Sequence, residues 1–383
     1  MGSARRLPAG LDPAGDRFGP CLESAPDERA VVTTGFSEAE HRAMRRALDL
    51  AKGVEMWPGP NPRVGAVLLG RDGTPIAEGV HRGAGTVHAE VDALASARTD
   101  AAGATAVVTL EPCNHVGRTG PCVQALVDAG VSRVVFGQTD PNRLAAGGAA
   151  SLRAAGISVA GGLMAEQARD LNRAWCFAVE HGRPFVTWKF ATTLDGRSAA
   201  ADGSSRWVSS PAARRDTQRL RGECDAILVG TQTVLVDDPQ LTRRDDSARA
   251  LPRDQQLLRV VMGQREVPPD RRVRDAAADT LILATRDPHE AMAVLHEREI
   301  RHVLLEGGPT LAAAFLGCGL VDEVVCYLAP ILLGAGRSAI GELGIETIGA
   351  ALHLDVTDVT TLDGQSGEDT DVRLTMSVRS GGS

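Results

Sequence analysis

The chain has 383 residues, of which 43% are hydrophobic and 23% are charged, and its formal net charge is −8 at pH 7. This length allows two or three domains with ordinary hydrophobic cores. The acidic balance gives no general electrostatic reason to bind nucleic acid. No apolar run reaches the roughly 18 residues of a membrane helix, and residues 1–36 lack the apolar segment of a secretory signal.

The first elements predict an α/β domain behind an N-terminal extension. Residues 1–36 are rich in Pro, Gly, Ala, Asp and Arg without periodicity, which is typical of a disordered segment. A capping box beginning at Ser37 starts a helix that Gly53 ends. Two strands follow, over 64–69 and 75–80, and the turn between them predicts a hairpin.

A His-Ala-Glu sequence and two later cysteines carry the clearest chemistry. His88, Cys113 and Cys122 offer one imidazole and two thiolates, a set that binds zinc and leaves a fourth position open for water. Glu90 lies near the start of a predicted helix over 88–97, so it can move protons without binding the metal. The pattern predicts a zinc-dependent deaminase acting on a nucleobase-like ring.

The rest of the first half alternates strands with helices. Strands are predicted over 104–109 and 131–136, and one continuous helix is predicted over 164–179. Such alternation indicates a mostly parallel sheet covered on both faces. A second series of elements begins after His181-Gly182-Arg183-Pro184, where we place the domain boundary.

The second half predicts another α/β sheet. Its strands are expected over 185–190, 225–229, 258–262, 281–284, 302–305, 324–327 and 372–378. A helix begins at Pro211, and a polar, exposed loop is expected over 243–256. Glu306-Gly307-Gly308 lies between a strand and a helix, a place where backbone N–H groups can bind an anion.

The seven cysteines are odd in number and lie mostly in apolar runs. This is not the pattern of a disulfide framework. A reducing compartment also keeps the two proposed zinc ligands available as thiolates. The sequence therefore predicts a cytoplasmic protein.

Taken together, the motifs resemble the bifunctional riboflavin-biosynthesis deaminase/reductase family, over about residues 37–380. In the first half the resemblance rests on PNPRVG at 60–65, HAEV at 88–91, TLEPCNH at 109–115, GRTGPC at 117–122 and DPN at 140–142. In the second half it rests on KFATTLDGR at 189–197, SRW at 205–207, GTQTVLVDDPQL at 230–241 and EGGPTL at 306–311.

The resemblance implies a cytidine-deaminase-like three-layer α/β/α domain at 37–182 and a dihydrofolate-reductase-like α/β domain at 183–383. It implies zinc-dependent hydrolytic deamination of 2,5-diamino-6-ribosylamino-4(3H)-pyrimidinone 5′-phosphate. Reduction of the ribosyl group to a ribityl chain would follow, with NADPH as the second cofactor.

The resemblance also assigns binding residues, which we take as expectations. Asn61 and His81 are expected to contact the pyrimidine. In the reductase half, the expected substrate contacts are Lys189, Ser205, Arg221, Leu241, Arg244 and Glu306. The expected NADPH site is lined by Ala191, Trp207, Thr233, Asp237 and Gly308. Arg221 and Arg244 offer planar, permanently charged groups for a phosphate, whereas Lys189 could either donate a proton or only position the ribose.

Three alternatives stay open from the sequence. A nucleic-acid-editing deaminase would share the zinc motif, although it would be expected to carry a basic channel and would not need the second domain. A scaffold protein with a structural zinc should lack Glu90 or supply a fourth protein ligand. A family relative could have one inactive half or a modified substrate. Our expectation is a small phosphorylated substrate, no nucleic-acid or membrane partner, and a homodimer or tetramer.

Overall fold

The computed structural model describes residues 35–54, 59–98, 101–115, 120–205, 208–363 and 370–379. The expected extension at 1–36 lies outside these ranges except for its last two residues, and Phe36 packs against the core of the first domain. Within the described ranges, none of the helices has the length and apolarity of a membrane span. Two sheets, one in each half of the chain, organise the fold.

The first sheet has the strand order β2-β1-β3-β4-β5. Its strands are β1 (Gly65–Leu69), β2 (Pro75–Val80), β3 (Thr105–Leu110), β4 (Arg133–Gln138) and β5 (Ser158–Gly161). β1 is antiparallel to both β2 and β3, whereas β3, β4 and β5 are parallel. The parallel pairing predicted from the alternation of strands and helices is confirmed for β3, β4 and β5, and the antiparallel pair at this edge is the predicted hairpin. The predicted hairpin turn returns the chain beside itself, which gives an antiparallel pair.

Helices cover both faces of this sheet, which makes the three layers predicted for the first domain. They are α1 (Glu38–Lys52), α2 (Ala89–Ala97), α3 (Cys122–Asp128), α4 (Gly148–Ala154), α5 (Ala165–Leu171) and α6 (Arg173–His181). α1 and α5 pack on one face, and the core on the other face includes side chains of α2, α3, α4 and α6. The capping box predicted at Ser37 is present at the start of α1.

The single helix predicted over 164–179 is wrong, because Asn172 separates α5 from α6. The Asn172 side chain is buried, accepts a hydrogen bond from the Arg63 N–H at 2.8 Å and donates one to the Arg63 carbonyl at 2.8 Å. These bonds to a distant backbone segment accompany a non-helical conformation at Asn172 (φ −118°, ψ 21°). Helical periodicity in the sequence carries no sign of such a long-range contact.

The second sheet has the strand order β10-β9-β8-β11-β6-β12-β15-β14. Its strands are β6 (Phe185–Thr193), β8 (Ala226–Gly230), β9 (Leu258–Met262), β10 (Thr280–Leu283), β11 (His302–Leu305), β12 (Glu323–Ala329), β14 (Leu354–Leu362) and β15 (Asp371–Val378). Two short strands, β7 (Arg197–Ala199) and β13 (Arg337–Ser338), form a separate two-stranded sheet. The strands from β10 to β12 are parallel, and β15 and β14 extend the sheet antiparallel.

The helices of the second domain are α7 (Pro211–Arg221), α8 (Thr231–Asp237), α9 (Pro288–Glu297) and α10 (Pro309–Gly317). Side chains of α9 and α10 pack in one core of the domain, and side chains of α7 and α8 pack in another. The sequence did not predict α8, α9 or β14. β14 is mostly exposed, so it lacks the apolar run by which the buried strands were found.

A close backbone contact places the helix that carries the zinc motif. A Cβ at Gly79 in β2 would lie 2.2 Å from the Ala89 carbonyl oxygen and 2.3 Å from the Ala93 nitrogen. Only a glycine allows this approach. α2 therefore lies directly on β2, and its first turn is held at the end of the sheet.

The two domains meet along α6 and the start of β6. At this joint Arg183, the first residue of the second domain, forms a bidentate ion pair with Asp322 of the same domain, with N–O distances of 2.8 and 2.7 Å. Arg173 in α6 pairs with Glu323, whose side chain is buried at the start of β12. The rings of Phe177 and Phe185 also pack edge to face across this joint.

Candidate active sites

The three predicted zinc ligands come together at one end of the first sheet. His88 is the N-cap residue of α2, Cys113 lies after β3, and Cys122 is the first residue of α3. The His88 Nδ1 atom is 3.2 Å from the Cys122 sulfur and 3.5 Å from the Cys113 sulfur, and all three donor atoms lie within 4.8 Å of one another. Ligands about 2.0 Å (N) and 2.3 Å (S) from a tetrahedral zinc are about 3.5 Å apart. The donor set therefore fits zinc.

The surroundings of Cys113 favour its thiolate form, whereas the hydrogen bond with Cys113 and burial raise the pKa of the Cys122 thiol. Cys122 begins a helix, where the helix dipole stabilises a negative charge. Its backbone N–H also donates to the Cys113 sulfur at 3.4 Å. Hydrogen bonds with Cys122 and His88 lower the pKa of the Cys113 thiol. Cys113 is thus prepared to bind a metal cation.

Glu90 lies in the first turn of α2 and is 4% exposed. Burial raises the pKa of its carboxyl group, because the charged form loses its hydration. A carboxyl group with a raised pKa can both accept and release a proton near neutral pH. This placement fits the proton-carrying role expected from the sequence.

Asn61 and His81 lie together in the same cavity. The His81 Nδ1 atom is 3.0 Å from the Val87 carbonyl oxygen, which can only accept, so this nitrogen carries the proton. Nε2 is then an acceptor for the Asn61 amide, 3.0 Å away. Burial lowers the pKa of His81, which keeps the ring neutral. The Asn61 side chain is thereby held in one orientation.

The cavity at the zinc cluster has a volume of about 320 Å³. It is lined by predicted residues and by several that the sequence reasoning did not select, including His115, Asp140, Trp175, Glu299 and Arg301. His115 lies two residues after Cys113, so its place within the zinc motif could have identified it. Burial raises the pKa of Asp140 to about 7. Glu299 and Arg301 come from the second domain, and no local pattern connects them with the zinc site.

The second domain brings together Lys189, Arg221 and Glu306. Arg221 forms a bidentate ion pair with Glu306, with N–O distances of 2.8 and 2.9 Å, and donates to the Thr242 carbonyl at 2.9 Å. Burial alone would raise the pKa of Glu306, but Arg221 and Lys189 lower it to about 2. Burial lowers the pKa of Lys189, while Glu306 raises it. The Lys189 ammonium lies 5.4 Å from the centre of the Tyr327 ring.

The other expected substrate contacts occupy different positions in this domain. Ser205 is exposed, and Leu241 is buried with a positive φ of 56°. Arg244 donates to the carbonyl of Ala248 and to the side-chain oxygen of Gln240, both at 2.8 Å. Arg244 thus donates to neutral acceptors, whereas Arg221 forms an ion pair with the Glu306 carboxylate.

The expected NADPH residues lie on β6, α8 and the start of α10. Ala191 is two residues from Lys189 on β6 and therefore on the same face. Thr233 is within α8 and Asp237 ends it, while Trp207 lies outside the described residues. Gly308 is the N-cap of α10 and has open space at its Cβ position. Its neighbourhood leaves room for a phosphate at the helix N-terminus.

A His/Cys/Cys cluster beside a buried glutamate, followed by an α/β domain with a Lys/Arg/Glu cluster, defines a zinc-dependent deaminase fused to a reductase. Residues 37–138 match the cytidine and deoxycytidylate deaminase zinc-binding region, and residues 184–366 match the RibD C-terminal domain. The chain belongs to the RibD family of riboflavin biosynthesis proteins. It is accordingly a bifunctional deaminase and reductase with zinc and NADPH as cofactors, which confirms the predicted family, fold class and cofactors.

Two relatives show how far the similarity extends. RibD of Mycobacterium tuberculosis strain H37Rv is 49% identical over 312 residues, which span 81% of this chain and 91% of that protein. RibD of Escherichia coli K12 is 42% identical over 340 residues, spanning 80% and 92% of the two chains. Both alignments extend across the two domains.

Solved structures agree with this assignment. Form 1 of Acinetobacter baumannii RibD is 37% identical, with a TM-score of 0.81 over 89% of this chain and 99% of that chain. A diaminohydroxyphosphoribosylaminopyrimidine deaminase/5-amino-6-(5-phosphoribosylamino)uracil reductase from Thermotoga maritima is 31% identical, with a TM-score of 0.79 and the same coverage.

Replacing a zinc ligand should remove the metal. We expect Cys122→Ser to hold zinc roughly tenfold or more weakly than the natural protein, because the thiolate is lost. Metal analysis of purified protein, after dialysis against a weak chelator, measures this. Cys318→Ser is the matched control, since Cys318 is exposed in the second domain. Equal zinc content in both variants would contradict the assigned ligand set.

Proposed function

We propose that the first site deaminates 2,5-diamino-6-ribosylamino-4(3H)-pyrimidinone 5′-phosphate and that the second reduces the ribosyl group of the product with NADPH. The observation that carries this proposal is the cavity beside the zinc donors, which is lined by His88, Cys113, Glu90, Asn61 and His81. The Thermotoga maritima structure, whose name states both activities, supports the same substrates for this chain.

In the deaminase site each residue has a distinct role. His88, Cys113 and Cys122 hold zinc, which supplies the Lewis acidity that activates water near neutral pH. The Glu90 carboxylate takes a proton from the attacking water and passes it to the ring amino nitrogen that leaves as ammonia. Asn61, held by its bond to His81, orients the pyrimidine ring.

In the reductase site the protein positions the ribosyl group for the hydride that NADPH supplies. The Nε–H and Nη2–H groups of Arg221 each donate to one oxygen of the Glu306 carboxylate, which holds Glu306 in position to accept hydrogen bonds from ribosyl hydroxyls. Lys189 binds the ribosyl group as an ammonium. Arg244 binds the phosphate, since its partners in the protein are neutral.

The remaining reductase residues line the two ligands. Ser205 and Leu241 complete the substrate side. Ala191, Thr233, Asp237 and Gly308 line the NADPH side, with the cofactor phosphate at the start of α10, and Trp207, outside the described residues, remains an expected contact.

The domain limits that we propose are 37–182 and 183–383. Gly182 ends α6 in a left-handed conformation (φ 66°), and β6 begins three residues later.

We also propose a cytoplasmic location, because Cys113 and Cys122 are free and must stay reduced to bind zinc. The proposed partner is a small phosphorylated pyrimidine rather than nucleic acid or a membrane surface, in keeping with the net charge of −8.

A homodimer or tetramer is supported by the edge of the second sheet. β14 is an edge strand, and it exposes 59% of Val356 and 61% of Val359. Exposed apolar edges of this kind are usually covered by another chain or segment.

Val359→Lys should shift the protein toward the monomer in sedimentation equilibrium, because it places a charge on this edge. If the natural protein is multimeric and the variant has the same mass, the interface lies elsewhere.

The two activities should separate by mutation. Glu90→Gln should keep zinc and lose deamination by about 10²- to 10⁴-fold, while still reducing deaminated substrate. Arg221→Ala should do the reverse, because Glu306 loses its partner. Ammonia release and NADPH oxidation measure the two steps. If folded Glu90→Gln protein also lost the reductase activity, the sites would not be independent.

The reductase should show a pH dependence set by Lys189. Its pKa lies below the ordinary lysine value, so activity should fall as the pH rises through that lowered pKa. Glu306→Gln removes a negative charge that raises this pKa and should move the fall to lower pH. The pH profile of kcat measures the shift, with Glu346→Gln, exposed elsewhere in the domain, as the control. An identical profile in Glu306→Gln would show that Lys189 does not act as a cation.

A further inference from the structure

We propose that Arg301, a residue of the reductase domain, binds the 5′-phosphate of the substrate in the deaminase cavity. This inference rests on the proposed function, because it assumes a phosphorylated pyrimidine. It adds a phosphate-binding residue that the second domain supplies to the first site.

The charges that line the cavity need such a residue. Among the described residues of the lining, Arg301 is the only lysine or arginine. Carboxyl groups are more numerous there and come from Glu90, Glu111, Asp140 and Glu299. A phosphate dianion placed among these groups requires a cation close to it.

The backbone of Arg301 is fixed in position. Its N–H donates to the Asp225 carboxylate at 2.8 Å, and its carbonyl accepts from the Phe185 N–H at 2.8 Å. The first bond reaches the residue before β8, and the second reaches the start of β6. The next residue, His302, begins β11. Arg301 is therefore held by the sheet of the reductase domain and not by a free loop.

The Arg301 guanidinium keeps donors for a ligand. Its Nε atom is buried and has no hydrogen-bond partner. Its Nη1 atom is 3.4 Å from Nδ1 of His296, whose pKa is lowered by burial, so this neighbour is a neutral ring. No salt bridge joins Arg301 to a described carboxylate, although the buried Asp225 carboxylate, which accepts from the backbone N–H groups of Arg301 and His302, also interacts with the Arg301 charge. The guanidinium therefore brings a positive charge to the cavity wall without a salt bridge to a described carboxylate, which suits a phosphate oxygen.

The orientation of the substrate follows from the positions of the other groups. The ring has to lie beside Glu90 and the zinc donors, where Asn61 and His81 also line the cavity. The ribosyl phosphate then extends away from the metal toward the wall that the second domain forms. Arg301 lies in that wall.

The test compares two substrates in the full-length, zinc-loaded protein. The rate of ammonia release is measured with the ribosylaminopyrimidine 5′-phosphate and with the same compound lacking the phosphate. We expect Arg301→Gln to raise KM for the phosphorylated substrate roughly 10- to 100-fold and to leave kcat/KM for the dephosphorylated compound nearly unchanged. Arg301→Lys, which keeps the charge without the planar group, should fall between the two proteins.

Arg298→Gln is the matched control. Arg298 is exposed, lies three residues before Arg301 and does not line the cavity. The reductase rate on deaminated substrate shows in each variant that β11 remains intact. Equal loss on both substrates, or full phosphate preference retained in Arg301→Gln, would overturn the proposal while the proposed function stands. If the natural protein deaminated neither compound, the proposed function itself would fail.

Discussion

The deaminase site depends on close packing between helix and strand backbones at glycines. A Cβ at Gly65 would lie 2.0 Å from the Ala47 carbonyl oxygen of α1, and one at Gly148 would lie 1.8 Å from that of Pro112. Gly65 and Gly79 let α1 and α2 lie directly on the strands. Gly148 lets the start of α4 lie directly against the backbone of Pro112, next to the zinc ligand Cys113. The zinc donors come from segments far apart in the chain. Their donor atoms lie within a few ångströms of one another because the backbones of these segments pack closely at the glycines.

The contact between the two domains also fixes part of the cavity wall. α6 contributes Trp175 and Val179 to the cavity wall, and its Arg173 pairs with the buried Glu323 of the second domain. A buried carboxylate left without its cation is costly, which favours a fixed arrangement of the two domains. The same helix therefore forms part of the first site and positions the second domain against it.

The sequence was most informative where function and local pattern coincide. His88, Glu90, Cys113 and Cys122 were identified because zinc chemistry restricts residue type and spacing, and the motif lies at predicted element ends. Contacts between distant segments outside the zinc motif were not predictable. The break at Asn172 depends on the Arg63 backbone, the pairing of Arg221 with Glu306 joins residues 85 positions apart, and Arg301 reaches the cavity only through the domain arrangement. Helical and strand periodicities report burial along one element and contain no information on these contacts.

The strand β11 lies between the two sites, with a residue of each site at either end. Arg301 precedes the strand and lines the deaminase cavity, and Glu306 follows it in the reductase cluster. Five residues of extended chain span roughly 17 Å, but all four residues of the strand are buried, in the interior of an eight-stranded sheet. The shortest line between the active sites therefore runs through solid protein core. A deaminated molecule therefore has no straight path along β11 to the reductase cluster, and any route between the two sites has to pass around the sheet.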